Sequence, residues 1–351
     1  MKTMTRVCFC LGVIALSGLS GIASRPLLGA DGPYSFITEI PVGGEGGWDY
    51  LSVDESARRL YVTHGTKVIV IDIDSDKVAG EITDTPGVHG FALAPKLGRG
   101  FSSNGQQNSS SIVDLKTLKT LSKVETGQNP DAIIYEPGRK EVYAFNGRGK
   151  SATVFDAATG KVVATIPLSG KPEFATADPE AGRVYCNIED KSEVAVIDTK
   201  AHAVVSSWPI KPGEEASGMA IDLKHHRLFI GCHNKLMVMM DSSNGKVVGT
   251  TPIGQGVDAT WYDPDTRFAF CSNGEGNVTI AKEETPDKLT PVQTLATERG
   301  ARTMALDPKS HKIYLAAAKY EAAADTPGQP RQRPRMVAGS FKILVYGMKK
   351  N

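Results

Sequence analysis

The stretch GGWDYLSVDESARRLYVTHG, from Gly46 to Gly65, contains the pattern that decides the fold. Its second half alternates apolar and polar side chains around LYVT, as a half-buried β-strand does. Its first half places a Trp–Asp pair, Trp48 and Asp49, directly after glycines, where an earlier strand begins. The same arrangement recurs in altered form seven times along the 351 residues. The stretch is therefore one unit of a repeat.

The repeat becomes visible when the units are aligned on the turn residue that follows the first apolar strand. Successive anchors are separated by 40, 42, 42, 44, 41 and 44 residues. Each unit continues with an aromatic strand such as RLYVT, a third strand that often ends in Asp, and a fourth such as KVVATI. Four strands per unit at this period predict the blades of a β-propeller. The seven anchors are Asp54, Ala94, Glu136, Asp178, Asp222, Asp263 and Asp307.

The two ends of the repeat array predict how the ring closes. The seventh unit supplies three strands, of which FKILVYG is the last, and the missing fourth is available in YSFITEI, Tyr34 to Ile40. Pairing these two strands would hide both exposed edges. We therefore expect residues 31–351 to form one all-β, seven-bladed β-propeller of four-stranded blades, with the N-terminal strand completing the last blade.

The units resemble those of the YVTN-repeat, or YncE-like, β-propellers. YVTH at 61–64 stands where that family has YVTN, and VIVID at 68–72, VAVID at 194–198 and ATGKVVATIP at 158–167 match its later strands. The resemblance extends over 33–347. It implies a secreted or periplasmic propeller, and some similar members have nucleic-acid-binding or surface roles. It does not define the function, because one fold hosts many functions.

The first thirty residues have the composition of a secretory signal peptide. Lys2 and Arg6 precede an apolar run rich in small residues, and Ala23 and Ala30 are plausible cleavage points. A retained membrane anchor is the alternative. Cleavage after Ala30 removes three of the 40 basic and none of the 39 acidic residues, which leaves a net charge of −2. Such a protein has no global attraction to nucleic acid or anionic lipid, and we expect no membrane span after cleavage.

Cleavage would leave three cysteines, Cys186, Cys232 and Cys271. An odd count cannot close a set of disulfides, so free thiols buried in strands are expected. The chain contains no C-x-x-C-H haem motif and no P-loop. Neither a haem nor a nucleotide cofactor is therefore predicted.

Equivalent positions of the repeat predict a ring of polar and charged side chains at one mouth of the central channel. The first strand of each blade lines the channel and begins at the rim where the loops between blades gather. Pseudo-sevenfold symmetry must bring the residues five positions before the anchors toward the axis. Glycines just before them allow a close backbone approach, and Trp48 is a candidate wall or lid. The ring positions are Asp49, His89, Asp131, Glu173, Ser217, Asp258 and Arg302.

Carboxylates crowded at one rim repel one another until a cation, a shared proton, Arg302 or trapped water relieves the repulsion. Oxygen-rich ligands with one histidine suit Ca²⁺, Mg²⁺ or Mn²⁺, and Fe or Zn in a tighter geometry. A divalent metal is therefore the cofactor that the ring predicts, and a water-filled polar plug is the alternative. The predicted metal ligands are Asp49, His89, Asp131, Glu173 and Asp258.

A second set of positions, ten residues after each anchor, ends the aromatic strands on the same face. Asn and His at strand ends cap turns, so a structural role is favoured, but His64 is kept as a candidate ligand-binding residue. His202, His225, His226 and His311 fall in turns of the opposite face. There we expect solvated side chains and no acid at metal-ligand spacing from the His225–His226 pair. The second set consists of His64, Asn104, Asn146, Ile188, Cys232, Asn273 and Ala317.

The last unit carries an insertion of about 316–340 between its second and third strands. Its Pro, Gly, Ala and Arg content is typical of a mobile loop, and its connectivity puts it on the face of the ring. Arg331 and Arg333 are therefore candidates to contact an anionic ligand. Together with Arg335 they make three arginines without interleaved aromatic residues, which is weak support for nucleic-acid binding, so nucleic acid is not an expected partner.

Three functions remain open from the sequence. The first is a monomeric, secreted or periplasmic propeller that binds a small anionic or metal-complexed ligand at the channel mouth, with Ser217 and Trp48 among the contacts. The second is a metal-assisted, lactonase-like hydrolase or lyase, in which His89 is the general base and Arg302 anchors the substrate. The third is a nucleic-acid or surface-interaction propeller. A protein partner would be expected for a surface-interaction role.

Overall fold

The computed structural model describes Met1 and residues 32–321 and 335–349. These residues form seven four-stranded antiparallel sheets arranged as the blades of a β-propeller. The predicted fold class is thereby confirmed. The proposed signal peptide, 1–30, lies outside the described residues apart from Met1. None of the helices in the described part is long and apolar enough to span a membrane.

The chain enters the ring through β1 (Tyr34–Pro41) and then builds the blades in sequence order. Blade 1 consists of β2 (Trp48–Asp54), β3 (Arg59–His64), β4 (Lys67–Asp72) and β5 (Lys77–Ile82). Blade 2 consists of β6 (Val88–Ala94), β7 (Arg99–Asn104), β8 (Ser109–Asp114) and β9 (Lys119–Glu125), with a 3₁₀ turn at Pro95–Leu97. Blade 3 consists of β10 (Pro130–Glu136), β11 (Glu141–Asn146), β12 (Ser151–Asp156) and β13 (Val162–Pro167).

The remaining blades follow the same plan. Blade 4 consists of β14 (Pro172–Asp178), β15 (Arg183–Ile188), β16 (Glu193–Asp198) and β17 (Ala203–Pro209), with a 3₁₀ turn at Glu189–Lys191. Blade 5 consists of β18 (Ala216–Asp222), β19 (Arg227–Cys232), β20 (Leu236–Asp241) and β21 (Val247–Pro252). Blade 6 consists of β22 (Val257–Asp263), β23 (Phe268–Asn273), β24 (Asn277–Thr285) and β25 (Lys288–Ala296). Blade 7 contains β26 (Met304–Asp307), β27 (Lys312–Ala317) and β28 (Lys342–Met348).

The ring closes as the sequence predicts. Strand β1 pairs antiparallel with β28, from Tyr34 opposite Met348 to Pro41 opposite Lys342, and so completes blade 7. The side-chain amide of Gln293 in blade 6 fixes the start of β1. It accepts a hydrogen bond from the Tyr34 amide and donates one to the Tyr34 carbonyl, both at 2.9 Å. These bonds tie β1 of blade 7 to the neighbouring blade 6.

The core is divided among the contacts between neighbouring blades. In the described part of the chain, seven apolar clusters each join two adjacent blades. The aromatic residue of each second strand is at most 2% exposed, and burying such a ring contributes on the order of 2 kcal/mol. Cys186, Cys232 and Cys271 are buried and unpaired, as expected. The aromatic residues are Tyr61, Phe101, Tyr143, Tyr185, Phe229, Phe270 and Tyr314.

Candidate functional site

The predicted ring positions lie at the starts of the innermost strands, all of which begin at the same mouth of the channel. In five of these strands the pairing with the second strand skips two residues, and the first of the two is the ring residue. Such a β-bulge interrupts the alternation of side chains. The ring residue and its successor can therefore both face the axis, which a regular strand would not allow.

A polar residue in the second strand of four blades holds the ring backbone of the next blade. Each one donates a hydrogen bond to the carbonyl oxygen of a ring residue: Thr63 to His89 at 3.0 Å and Asn187 to Ser217 at 2.6 Å, for example. Sequence reasoning missed this set, although its signal is a polar side chain in an otherwise apolar strand. The four donors are Thr63, Ser103, Asn187 and Ser272, which bond to His89, Asp131, Ser217 and Arg302 respectively.

One half of the ring centres on His89. Its Nδ1 atom lies 2.7 Å from Asp49 Oδ2 and 3.6 Å from Asp131 Oδ1. One side-chain atom from each residue can be chosen so that all three lie within 4.8 Å of one another. Two carboxylates and an imidazole at this spacing are a donor set that suits a divalent metal ion. The side chains present therefore fit the metal that the sequence predicts.

The other half of the ring contains the balancing cations. Arg302 Nε lies 2.9 Å from Asp258 Oδ2, and the Ser217 hydroxyl is 3.3 Å from Asp258 Oδ1. Lys171, which sequence reasoning did not select, places its ammonium group 2.9 Å from Glu173 Oε2. The structure thus brings all seven predicted ring positions into one site and adds a lysine to it.

Burial and mutual repulsion raise the carboxyl pKa values of the ring. Burial raises the pKa of Asp49 and of Asp258. Burial, with the charge of Asp49 adding to it, raises the pKa of Asp131 to about 6. Burial and the charge of Asp131 raise the pKa of Glu173 to about 8. The mouth therefore holds more carboxyl groups than its cations neutralise, and some keep their protons at neutral pH.

The pKa of His89 is raised too, and for an imidazole this favours the charged form. Burial alone lowers the pKa of this imidazole, but the hydrogen bond to Asp49 and the charges of Asp131 and Asp49 outweigh burial and raise the pKa to about 9. The imidazolium is therefore the main form at neutral pH without a metal. The unprotonated base that a hydrolytic mechanism needs is a minor form under those conditions.

Two aromatic residues form a floor beneath the ring. Tyr50 and Phe174 follow ring residues in blades 1 and 4 and meet edge to face, with ring centroids 5.2 Å apart. Burial raises the pKa of Tyr50 well above 10, and the charges of all four ring carboxylates add to this because they lie near its hydroxyl group. Beyond the floor lies a largely apolar cavity of about 510 Å³, lined by the inner strands of every blade. Tyr50 and Phe174 divide a charged mouth from an apolar channel.

Trp48 and His64 lie beside blade 7 and not among the ring carboxylates. The indole of Trp48 packs against Phe341 and Tyr320, at centroid distances of 5.1 and 6.3 Å. The imidazole of His64 stacks on Phe341 at 4.2 Å, and burial lowers its pKa. Tyr320, which Trp48 contacts, lies near Arg302, so this group of aromatic side chains extends toward the ring through Tyr320.

The insertion of blade 7 is anchored by a short paired stem. Tyr320 forms an isolated antiparallel bridge with Met336, and Val337 donates a backbone hydrogen bond to Lys319. Strands β27 and β28 bound it, so the loop spans 318–341 and is slightly shifted from the predicted 316–340. Arg331 and Arg333 lie outside the described residues.

Three histidines expected to be solvated contact carboxyl groups instead. His202 Nε2 lies 2.9 Å from Glu141, His311 Nδ1 lies 2.7 Å from Asp263, and His225 Nδ1 lies 2.5 Å from Asp222. The expectation was wrong for His202 and His311 because their acids come from other turns or strands that only the folded ring brings close. It was wrong for His225 because Asp222, three residues earlier, begins the same turn, and Glu283 of the next blade also approaches. The prediction of no acid at metal-ligand spacing from the His225–His226 pair was therefore wrong as well. His226 is exposed, as expected.

The rest of the second set plays a structural role, as the sequence favours. The Asn104, Asn146 and Asn273 amides each donate hydrogen bonds to two side chains of the third strand in their own blade. Ile188, Cys232 and Ala317 are buried apolar residues. The three asparagines therefore join the second and third strands of their blades, and the three apolar residues are part of the core.

Comparisons with known proteins support the fold and leave the function open. The chain matches no protein-family model and no curated protein. Among solved structures, it is similar to a chain of Kuenenia stuttgartiensis hydrazine synthase, with a TM-score of 0.70 and 17% sequence identity over 78% of this chain and 94% of that chain. At that identity the likeness concerns the fold alone. Fold and site together define a seven-bladed β-propeller with a charged channel mouth.

Proposed function

We propose that this protein binds a small, metal-complexed anionic ligand at the charged mouth of its channel. Asp49, His89 and Asp131 would hold a divalent metal ion, and Arg302 would contact the anionic part of the ligand. The observation that carries the proposal is the crowding of four largely buried carboxyl groups at one channel mouth, two of them beside the His89 imidazole. Burial and the charges of neighbouring carboxylates raise their pKa values. A divalent cation would relieve that crowding.

The charge of the mouth supports a metal complex over a bare anion. An anion alone would meet four ring carboxyl groups. The basic side chains of the site, which are Arg302, Lys171 and His89, already contact those carboxyl groups. A bound divalent ion would supply a positive centre for a carboxylate or phosphate group. Arg302, beside Asp258, is the most exposed side chain of the ring, with 56% of it open to solvent. Its guanidinium is suited to paired hydrogen bonds with such an anion.

Binding is a better account of this site than hydrolysis. His89 is the only imidazole among the ring positions and is assigned here to the metal ion, so no second imidazole of the ring is left to act as a general base. A metal-assisted hydrolase remains a prediction that would require turnover. A nucleic-acid or surface role through Arg331 and Arg333 also stays a prediction, because no described contact supports it.

We further propose that the protein belongs with the YVTN-repeat propellers and is exported to the periplasm or beyond as a monomer. The motifs YVTH, VIVID and VAVID support the family, and the seven-bladed fold is compatible with it. The basic and apolar composition of 1–30 supports export. Mass determination of the N-terminus of protein recovered from the periplasm would test cleavage after Ala23 or Ala30.

The metal proposal is tested by titrating chelator-treated protein with Mn²⁺ or Zn²⁺ in a calorimeter. Asp131→Asn and His89→Gln remove proposed ligands, and Asp114→Asn makes the same carboxylate-to-amide change beside Arg99, outside the channel. We expect both ring variants to lose one bound equivalent that the Asp114 variant keeps. At an ion concentration 100 times Kd, binding should stabilise the fold by about 2.7 kcal/mol. Equal stoichiometry in all four proteins would favour a wet polar plug.

A further inference from the structure

A second cluster of ligand-type side chains lies at the face opposite the ring, between blades 5 and 6. Asp222 ends β18, His225 follows in the turn to β19, and Glu283 lies near the end of β24. Glu283 and Asp222 are 0% and 3% exposed, whereas a quarter of the His225 side chain reaches solvent. The two carboxyl groups of the cluster are therefore buried, and its imidazole is partly exposed to solvent.

The three side chains converge on one point. His225 Nδ1 lies 2.5 Å from Asp222 Oδ2 and 3.8 Å from Glu283 Oε1. One ligand atom from each residue lies within 4.8 Å of the other two. The second oxygen of Asp222 already accepts the turn amides of Lys224 and His225, so this carboxylate is held with Oδ2 directed at the cluster.

The surrounding groups satisfy only part of Glu283. The Tyr262 hydroxyl is 2.6 Å from Glu283 Oε2 and 3.2 Å from Asp222 Oδ2, but it has a single proton and can donate to only one of them at a time. Arg267 Nε approaches the same Oε2 atom at 3.5 Å. Glu283 Oε1 is buried and has no hydrogen-bond partner among the described residues. An orphaned carboxylate oxygen is costly, and buried polar atoms almost always have a partner.

Other blades provide a comparison within the same chain. His311 pairs with the single carboxylate of Asp263 at 2.7 Å, and Arg58 pairs with the buried Asp307 at 2.9 Å. An ion pair accounts for each of these acids. It does not account for Glu283 Oε1, which faces an imidazole that Asp222 already engages. Arg267 approaches Glu283 only at Oε2, so Oε1 is left buried beside the imidazole without a hydrogen bond.

We propose that Asp222, His225 and Glu283 form a binding site for a divalent transition-metal ion of the zinc class. One imidazole and two carboxylates are ligands that such ions accept, with a remaining position for water. The Tyr262 hydroxyl would orient the Glu283 carboxylate, in the way that outer hydrogen bonds fix metal ligands. The ion would reach the site through the exposed side of His225. This site is independent of the proposed function of the ring.

The test uses the full-length protein carrying Asp131→Asn, so that the ring site is silenced. Zn²⁺ affinity is measured by competition with a chromophoric chelator, after the fold of each variant has been checked by circular dichroism. His225→Gln and Glu283→Gln remove ligands, and His311→Gln is the matched control because it removes an imidazole paired with one carboxylate. We expect one Zn²⁺ to bind in the silenced background. Its affinity should fall at least about tenfold in the two ligand variants and stay unchanged in the control.

Three results would overturn the proposal: no Zn²⁺ bound in the silenced background, equal affinity in the His225 and His311 variants, or undiminished affinity in Glu283→Gln. Each would make the cluster an ion-pair network only. If a ligand variant fails to fold, anomalous diffraction from zinc-soaked crystals of the unmodified protein decides. A peak between the three side chains supports the site, and its absence there refutes it, whether or not the ring holds an ion.

Discussion

Replacing Glu173 by Gln should change how the stability of the metal-free protein depends on pH. The side chain is 14% exposed beside Lys171, and burial and the charge of Asp131 raise its pKa from 4.5 to about 8. Glu173 therefore binds its proton more tightly in the folded chain than in the unfolded chain. Its contribution to stability is fully present below pH 4.5 and is lost as the pH rises to about 8.

The size of the effect follows from the same two values. Each tenfold change in proton affinity corresponds to about 1.4 kcal/mol, so the whole interval between 4.5 and about 8 corresponds to on the order of 5 kcal/mol. Gln has nearly the shape of the protonated acid and does not titrate. Glu173→Gln should therefore be close to neutral at low pH and should gain stability over the unmodified protein, by an amount of that order, by pH 8.5.

The assay is urea unfolding in the presence of a chelator at several values between pH 4.5 and 8.5. Glu45→Gln, at an exposed position outside the strands, is the control for removing one carboxyl group. Its profile should run parallel to that of the unmodified protein. Parallel profiles for Glu173→Gln as well would refute the reasoning, because they would mean that the proton affinity of Glu173 does not change on folding.

Two further predictions concern the fold outside the channel mouth. Arg58→Ala leaves the fully buried carboxylate of Asp307 without its 2.9 Å ion pair and should cost about 3 kcal/mol of unfolding free energy. Asp74→Ala, which removes the exposed partner of the same arginine, should cost less than about 1 kcal/mol by denaturant titration, and equal costs would contradict this. Burial raises the pKa of Cys186, and that of Cys232 and Cys271 to about 12. All three should resist a thiol reagent at pH 8 until denaturant is added, and mass spectrometry of the folded protein that finds one labelled quickly would contradict the burial.

The ring residues could be selected from sequence because the repeat register carries geometric information. A position at a fixed offset from the anchor occupies the same place in every blade, so Asp49, His89, Asp131 and Glu173 had to approach one axis. The positions ten residues after the anchors are equivalent in the same way, and their asparagines join strands within a blade. Their neighbours at an offset of nine, Thr63 and the three other donors to the ring backbone, were overlooked.

The contacts within the ring could not be read from the register. Tyr50 faces the carboxylates only because a bulge breaks the alternation between Trp48 and Leu51, and no local pattern announces that bulge. Lys171 reaches Glu173 from just outside the strand. The sequence predicts Trp48 at the mouth because it precedes Asp49, but its indole packs against Phe341 beside blade 7.

The sequence by itself determined the number of blades, the four-stranded unit, the strand that closes the ring and the positions that surround the channel. These properties depend on periodicity, which recurs within each unit of about forty residues and needs no long-range contact to be recognised. Only the tertiary structure decided which charges meet. Asp222 and Glu283 are separated by 61 positions, and they approach the same imidazole because blades 5 and 6 pack side by side, a contact that the repeat pattern does not encode. Proton affinity, metal-ligand spacing and unsatisfied hydrogen bonds depend on distances of a few ångströms between such residues, and packing alone fixes those distances.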